Sequence, residues 1–457
     1  MSRTVRSLPD IGSVREVFAR LRSRPGATLL ESSAITTGTG RWSYIVTDPI
    51  ATLEARGSET IFQDETWNDP FTALETLLQR YRLECHELEP TNDGPDFQGG
   101  FIGYLGYDLA RHLERLPHRT NAELNWPEMR LHLADFVLAH DGLNGHWYAI
   151  TLELPGFHER NKIWNNILEQ AQHGSSEPAR FQASEPLSLT TNETYLEQVE
   201  RALEYIRAGD IFQVNLSHRL EASFDGDPWA LYERLAERSR APFAAYISGT
   251  DFTMVSASPE RFLRLDNNTL EARPIKGTRA RGNTPELDEL ARLELETSLK
   301  DRAENLMIVD LLRNDLGRIS RFGSVRTPNL FRLEAHGPVW QMVSTVTGEL
   351  REGLGPVNAL RASWPGGSMT GAPKIRSMEI IEELEPVRRG PYAGSVGYFD
   401  LSGTMDLSIV IRTAMIDHAR DRVLVQVGGG IVADSQPQLE LDETYAKARA
   451  ILECLRG

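Results

Sequence analysis

Cysteine is almost absent: Cys85 and Cys454 are the only two among 457 residues. There is no Cys-x-x-Cys and no Cys/His cluster, which excludes a thiolate zinc site and fits a reducing compartment. No apolar run approaches the roughly 18 residues that a membrane-spanning helix needs. The opening Met-Ser-Arg-Thr-Val-Arg-Ser leads into mixed polar sequence without an apolar stretch, so no signal peptide and a cytoplasmic location are expected. Basic charge is in deficit, with 49 Lys and Arg against 65 Asp and Glu, a net −16. A broad nucleic-acid surface is therefore excluded, and any anion site must be locally basic. No internal repeat marks a solenoid. The chain is 40% apolar and 25% charged, ordinary for a globular protein, and long enough for two domains or one very large one.

A stretch at 171–190, rich in Ser, Glu, Pro and Ala, reads as a linker between a first region of 1–170 and a second of 191–457. The first region mixes strand-like runs with a few helices and carries a Gly-rich stretch from Gly99 to Asp108. The second opens with helical spacing (Leu196, Val199, Leu203, Ile206) and a plausible stop at Gly209. The period then changes to two. Phe212, Val214, Leu216 and Leu220 fall on one strand face, and Gln213, Asn215, Ser217 and Arg219 on the other. Read alone, that polar face is expected to meet solvent rather than line a wet pocket. Strand-rich stretches at 243–276, 338–350 and 392–433 lack regular helical crossovers, which predicts an α+β fold of antiparallel sheets with helices outside.

Acid pairs recur at helical spacing. Asp301 and Glu304 are three apart after a Ser298 cap, and Glu440 and Glu443 are three apart near the C-terminus. Carboxylates from two facing helices suit a hard divalent ion such as Mg²⁺, although pattern alone favours solvated faces. Two glycine-rich turns, Pro365–Gly371 leading into Lys374, and Gly428-Gly429-Gly430, could present amides to an anion. No Gly-Lys-Ser/Thr follows the first, so ATP is not implied. Arg412 ends the strand-like run Ser408–Thr413 and is either an edge charge or a carboxylate clamp. Glu260 could serve as a general acid and Lys276 as a nucleophile if its pKa is depressed. A Glu260–Lys276 salt bridge is the default for such a pair.

Together these motifs resemble the chorismate-utilising enzymes, among them anthranilate, isochorismate and aminodeoxychorismate synthases. The resemblance rests on Gly209-Asp-Ile-Phe-Gln-Val-Asn-Leu-Ser217, Ala257-Ser-Pro-Glu-Arg261, Pro274-Ile-Lys-Gly-Thr278 and Asp301-Arg-Ala-Glu-Asn305. It continues through Asp310–Gly317, Pro365–Lys374, Ile411-Arg-Thr413, Gly428–Ser435 and Glu440-Leu-Asp-Glu-Thr444, in order across 190–450. It implies one large α+β unit of two packed antiparallel sheets, with chorismate and Mg²⁺ in a cleft. Glu304 and Glu443 would hold the ion, supported by Asp301 and Glu440. Arg412, Tyr392 and the amides of Gly428, Gly429 and Gly430 would hold carboxylates. Thr278, Lys374, Gln213 and Gln341 complete the implied substrate-binding set, and Glu260 would protonate the departing 4-hydroxyl.

Two positions choose the branch. Isochorismate and salicylate synthases carry a lysine where this chain has Gln213, so addition of water at C2 is disfavoured. Anthranilate synthases usually read Pro-Ile-Ala-Gly-Thr, and Lys276 replaces that alanine. The resemblance then implies amination at C4, giving 4-amino-4-deoxychorismate for 4-aminobenzoate and folate biosynthesis, with Lys276 occupying C2. Neither cysteine has a glutaminase signature, so ammonia is expected from a separate glutamine amidotransferase subunit. Gln341 stands where a histidine is common; it can hydrogen-bond but cannot act as an acid, which leaves proton transfer to Glu260. Leu30, Glu31, Ser32, Arg41, Ser43 and Tyr44 resemble a tryptophan pocket, with feedback, structural and empty readings all open. The alternatives are anthranilate synthase component I, or a catalytically silent subunit binding chorismate or tryptophan.

Overall fold

A computed structural model describes residues 2–34, 39–82, 94–157, 159–337 and 339–456. Among them, strands assemble into two large sheets of 13 and 12 strands, with antiparallel pairing between the named strands. The elements that build the site are, in chain order, β1 (Gln213–Gly226), β2 (Phe252–Ser258), β3 (Arg261–Asp266), β4 (Ile275–Ala280), α1 (Leu299–Gly317), β5 (Val339–Glu349), α2 (Lys374–Leu384), β6 (Met405–Ile409), β7 (Thr413–Asp417), β8 (Arg422–Ile431) and α3 (Pro437–Arg456). The first sheet holds β1, β2, β7 and β8; the second holds β3, β4, β5 and β6. The α+β expectation is met.

The sheets pack face to face. Trp42, Tyr44, Val137 and Ile150 of the first sheet meet Ile102 and Tyr398 of the second, and Ala245, Met254 and Met415 meet Tyr104 and Val396. Helices cover the outer faces. Phe18, Trp164, Trp229 and Ile451 pack on the first sheet, and Phe71, Ile308, Leu312 and Leu360 on the second. Strands from both sides of 171–190 enter both sheets, for example Thr28–Glu31 beside Phe243–Ile247 and Gly100–Leu105 beside Ser395–Asp400. The 171–190 stretch itself carries a helix end and two short strands, Phe181–Ala183 and Leu187–Ser188, paired with β1. No helix among the described residues is long and apolar enough to cross a membrane.

Local rules account for the helix that bears the first acid pair. Ser298 caps α1 by accepting from the Asp301 amide at 3.2 Å. The polar face of β1 departs from expectation, because Gln213, Asn215, Ser217 and Arg219 are all buried. Glu385 accepts from the Ser217 amide and hydroxyl, both at 2.8 Å, and Glu123 pairs with Arg219 at 2.5 Å. Val214 and Leu216 pack on the opposite side with Val199, Leu203 and Ile380, while Phe212 lies before the strand and is exposed. Alternation identified the faces, but partners remote in sequence decided that both are covered.

Candidate active site

Glu260 and Arg412 sit where the chain changes sheet. Glu260 lies between β2 and β3, and Arg412 between β6 and β7. The crossings are tied together: the Ala257 amide donates to the Arg412 carbonyl at 3.1 Å, and the Ile409 amide to the Glu260 carbonyl at 3.0 Å. This corrects the expectation of a strand through Arg412. β6 ends at Ile409, and Arg412 adopts φ +51, a left-handed conformation uncommon for a non-glycine residue. Its guanidinium makes no hydrogen bond or ion pair among the described residues, although it feels the Glu260 charge. A partly buried guanidinium left in this way is suited to clamping a carboxylate.

Lys276 is aimed by a bulge. The β4–β5 register pairs Ile275 with Val343 but Thr278 with Gln341, so an extra residue falls within Lys276-Gly277. Gly277 supplies φ +78 there, and a Cβ on it would approach Asp301 Cγ to 2.9 Å. Across the cleft, a Cβ on Gly430 would come 3.2 Å from Lys276 Nζ and 2.6 Å from Gln213 Nε2. Glycine at 430 therefore leaves room for both side chains. The salt-bridge default for Lys276 does not hold: its amine makes no ion pair or hydrogen bond among the described residues. Desolvation is the main influence and lowers its pKa; Glu304 opposes this and Lys447 adds to it. Burial drives the Glu260 pKa the other way, up to about 7, with the Ser368 hydroxyl and the Lys276 charge drawing it partly back. An acid and an amine whose affinities for protons are pushed toward each other form a poised pair.

Two buried amides are unpartnered. Both polar side-chain atoms of Gln213 and both of Gln341 lack a hydrogen bond. Leaving such groups unsatisfied costs about 1–3 kcal/mol each, which suits both amides to meeting a polar ligand. Thr278 is exposed on β4, opposite Gln341.

The acid pairs converge with lysines. Lys300 Nζ lies 3.9 Å from Glu304 and 3.7 Å from Glu440, and Lys447 lies 2.8 Å from Glu443. Burial raises the Glu304 pKa, Lys276 and Lys300 lower it, and Glu443 and Asp301 add repulsion. The Glu443 pKa ends below the usual value because Lys447, Lys276 and Lys300 outweigh its burial. Asp301 is committed to Arg279 at 3.0 Å, and Glu440 accepts from Ser435 at 2.7 Å. Among the described residues no three His, Cys, Asp or Glu side chains form a ready metal cage.

Gly428, Gly429 and Gly430 form no turn. They continue β8, paired in unbroken register with Ser217, Leu216 and Asn215 of β1. The neighbouring β7 stops pairing at Val425, which leaves one edge of the glycine segment without a strand partner. Lys447 donates to the Gly428 carbonyl at 3.0 Å. Tyr392 is buried, with its hydroxyl pushed up to about 12 by burial.

Lys374 is a correction. Its ammonium is committed to Asp315 at 2.7 Å and to the Ser363 carbonyl at 2.9 Å, tying the start of α2 to the end of α1. The preceding Pro373 is the N-cap of α2. Lys374→Met is expected to destabilise the fold by about 3 kcal/mol, since it strands a buried carboxylate. The KM for substrate should barely move, and chemical denaturation beside steady-state kinetics checks this. Sequence reading missed Ser368, Lys300 and Lys447. Lys447 had a visible signal, the i,i+4 spacing from Glu443; Ser368 had none beyond its glycine-rich loop.

Five of the six positions near the N-terminus border a separate cavity of about 380 Å³ between the sheets. Leu30, Glu31, Ser32, Arg41 and Tyr44 line it, while Ser43 lies behind the wall and accepts the Ser32 amide at 3.1 Å.

A family model described as chorismate binding enzyme matches residues 30–453. Aminodeoxychorismate synthase component 1 of Escherichia coli K12 is 40% identical over 444 residues, covering 96% of this chain and 95% of its own length. Anthranilate synthase component 1 of Acinetobacter calcoaceticus is 36% identical over 468 residues, covering 98% and 93%. The crystal structure of anthranilate synthase component I from Streptococcus pneumoniae superimposes with a TM-score of 0.80 at 29% identity, covering 92% of this chain and 94% of that one.

Proposed function

This chain belongs to the family of chorismate binding enzymes, and from that premise we propose that it aminates chorismate at C4 to give 4-amino-4-deoxychorismate. The observation that carries the reading is Lys276, an amine without an ionic partner, lowered in pKa and set near a carboxyl titrating at about 7. Glu260 in its acid form gives a proton to the departing 4-hydroxyl, which leaves as water. The neutral Lys276 amine bonds to C2 as both ring double bonds shift round C1, C6 and C5 and the C4–O bond breaks. Ammonia then bonds to C4 and gives its extra proton back to Glu260, both double bonds shift back, and the C2–N bond to Lys276 breaks. Occupying C2 with a protein amine denies that carbon to ammonia. Gln213, which like Lys276 borders Gly430, has no basicity with which to activate water.

Arg412, Tyr392 and the free edge of β8 at Gly428–Gly430 hold the substrate carboxylates in this reading. The acids fit Mg²⁺, which is commonly held by one or two carboxylates together with substrate groups rather than by an all-protein cage. Glu304 repelled by Glu443 is such a pair. Glu304 and Glu443 would hold the ion, with Asp301 and Glu440 behind them. Bound there, Mg²⁺ would supply positive charge for a substrate carboxylate.

Ammonia comes from a separate glutamine amidotransferase subunit in this proposal, consistent with relatives that are each named component 1 of a synthase. Cys454 is buried among apolar side chains with its thiol pKa raised by burial, unlike a glutaminase nucleophile, and Cys85 lies outside the described residues. The cavity of about 380 Å³ suits an amino acid in size, and tryptophan is its proposed occupant.

The test is product identity. Incubated with chorismate, Mg²⁺ and ammonium, the protein is expected to form 4-amino-4-deoxychorismate, trapped as 4-aminobenzoate by an added lyase. Fluorescent anthranilate as the main product would overturn this in favour of the anthranilate synthase reading. No turnover with either ammonium or a partner subunit would favour a silent binding subunit.

A further inference from the structure

Behind the cleft lies a buried ion pair that the reaction scheme does not use. Arg389 and Glu385 are both almost fully buried. Arg389 Nε donates to Glu385 Oε2 at 3.0 Å, and one terminal nitrogen donates to Glu385 Oε1 at 2.6 Å. The same guanidinium donates to the Met369 carbonyl at 2.7 Å and to the Asn215 carbonyl at 2.6 Å. It lies 4.8 Å from the Tyr107 ring centre and 5.8 Å from that of Tyr392. Glu385 in turn holds the Ser217 amide and hydroxyl.

Each partner leads to the site. Met369 follows Ser368, whose hydroxyl draws the Glu260 pKa partly back down, in the short 3-10 turn Gly367–Met369. Asn215 stands opposite Gly430, beside which Gln213 and Lys276 lie, and the same guanidinium faces the Tyr392 ring. The planar fork thus joins three segments remote in sequence, at the loop behind the acid, at β1 and at Tyr392. A lysine, with its point charge and no planar fork, could not serve all of these acceptors. Burying such a pair is costly, and hydrophobic replacements often match it in stability. Fold stability alone is therefore a weak reason for it.

We propose that Arg389, held by Glu385, is a positioning residue that fixes the Ser368 loop on Glu260 and orients Tyr392 without touching substrate. The inference rests on the reaction proposed above. Arg389→Lys is expected to lower kcat by up to about 10²-fold, the scale of a small misplacement of reacting groups. KM for chorismate should rise less than kcat falls, because Arg412 and the β8 edge still hold the substrate carboxylates when Tyr392 shifts. Ser368→Ala should move the basic limb of the kcat profile to higher pH, since it removes a hydroxyl whose influence favours the Glu260 carboxylate. Arg389→Lys should move it the same way. The Ser368→Ala/Arg389→Lys double variant should be no slower than the worse single, as expected when both act through one contact. Glu385→Gln, which keeps an acceptor for Ser217 but weakens the hold on Arg389, should reproduce the shift in milder form and decides the matter if Arg389→Lys fails to fold. An unmoved pH profile with fully additive losses would overturn the proposal. So would a lowered melting temperature with unchanged kcat. If wild-type enzyme makes anthranilate, the proposed reaction fails, and positioning is still read from the rate of chorismate consumption.

Discussion

Lys276→Ala is expected to lower C4 amination by on the order of 10²- to 10³-fold, the scale seen when one preorganised group at a reacting centre is removed. Chorismate binding in the presence of Mg²⁺ should persist, because Arg412, Tyr392 and the acid pairs remain. The structure makes this a sharp experiment, since the amine makes no ion pair or hydrogen bond whose loss would unsettle the fold. Alanine also opens C2 to competing attack, so any residual product should include material aminated there. Intact-protein mass spectrometry with a slow substrate analogue should show an adduct on wild type and none on the variant. Borohydride should trap nothing, because the intermediate is a C–N single bond and not an imine. Unchanged turnover in Lys276→Ala, with no mass increase on wild type, would remove the lysine from the mechanism.

Glu260→Gln should cost about 10²- to 10⁴-fold in kcat, the range for losing a general acid. The shape of the pH profile is the stronger readout. Glu260 works in its acid form, so wild-type kcat should fall as pH rises through about 7, where burial places its titration. Lys276 works as the neutral amine, so the rate should rise with pH through its lowered pKa, and the two requirements together give a bell. In Glu260→Gln the basic limb attributed to the acid should vanish, leaving only the dependence on the amine. Retention of that limb would transfer the proton donation to another group.

Much of this was legible in order along the chain. Ser298 announced the helix that carries Asp301 and Glu304, and the change from helical to alternating spacing after Gly209 announced β1. The pairing of Gln213 with Lys276 in one site was legible through resemblance, and the register of β1 with β8 supplies its geometry. Other features were not legible, because they depend on what packs from afar. The polar face of β1 looked solvated until Glu385 and Glu123 covered it. Arg412 looked like a strand residue, yet the chain leaves the sheet at Ile409 to cross to its partner. Lys374 looked available to substrate, yet Asp315 claims it.

The sequence by itself determined the helix caps, the strand periodicity and the glycines that admit close neighbours. These follow from steric and hydrogen-bonding preferences that act within a few residues. Tertiary structure alone decided which charges are paired and which are left for substrate. That division is electrostatic and depends on burial, and burial is created only when two sheets bring residues together that are more than a hundred positions apart, as with Glu260 and Arg412.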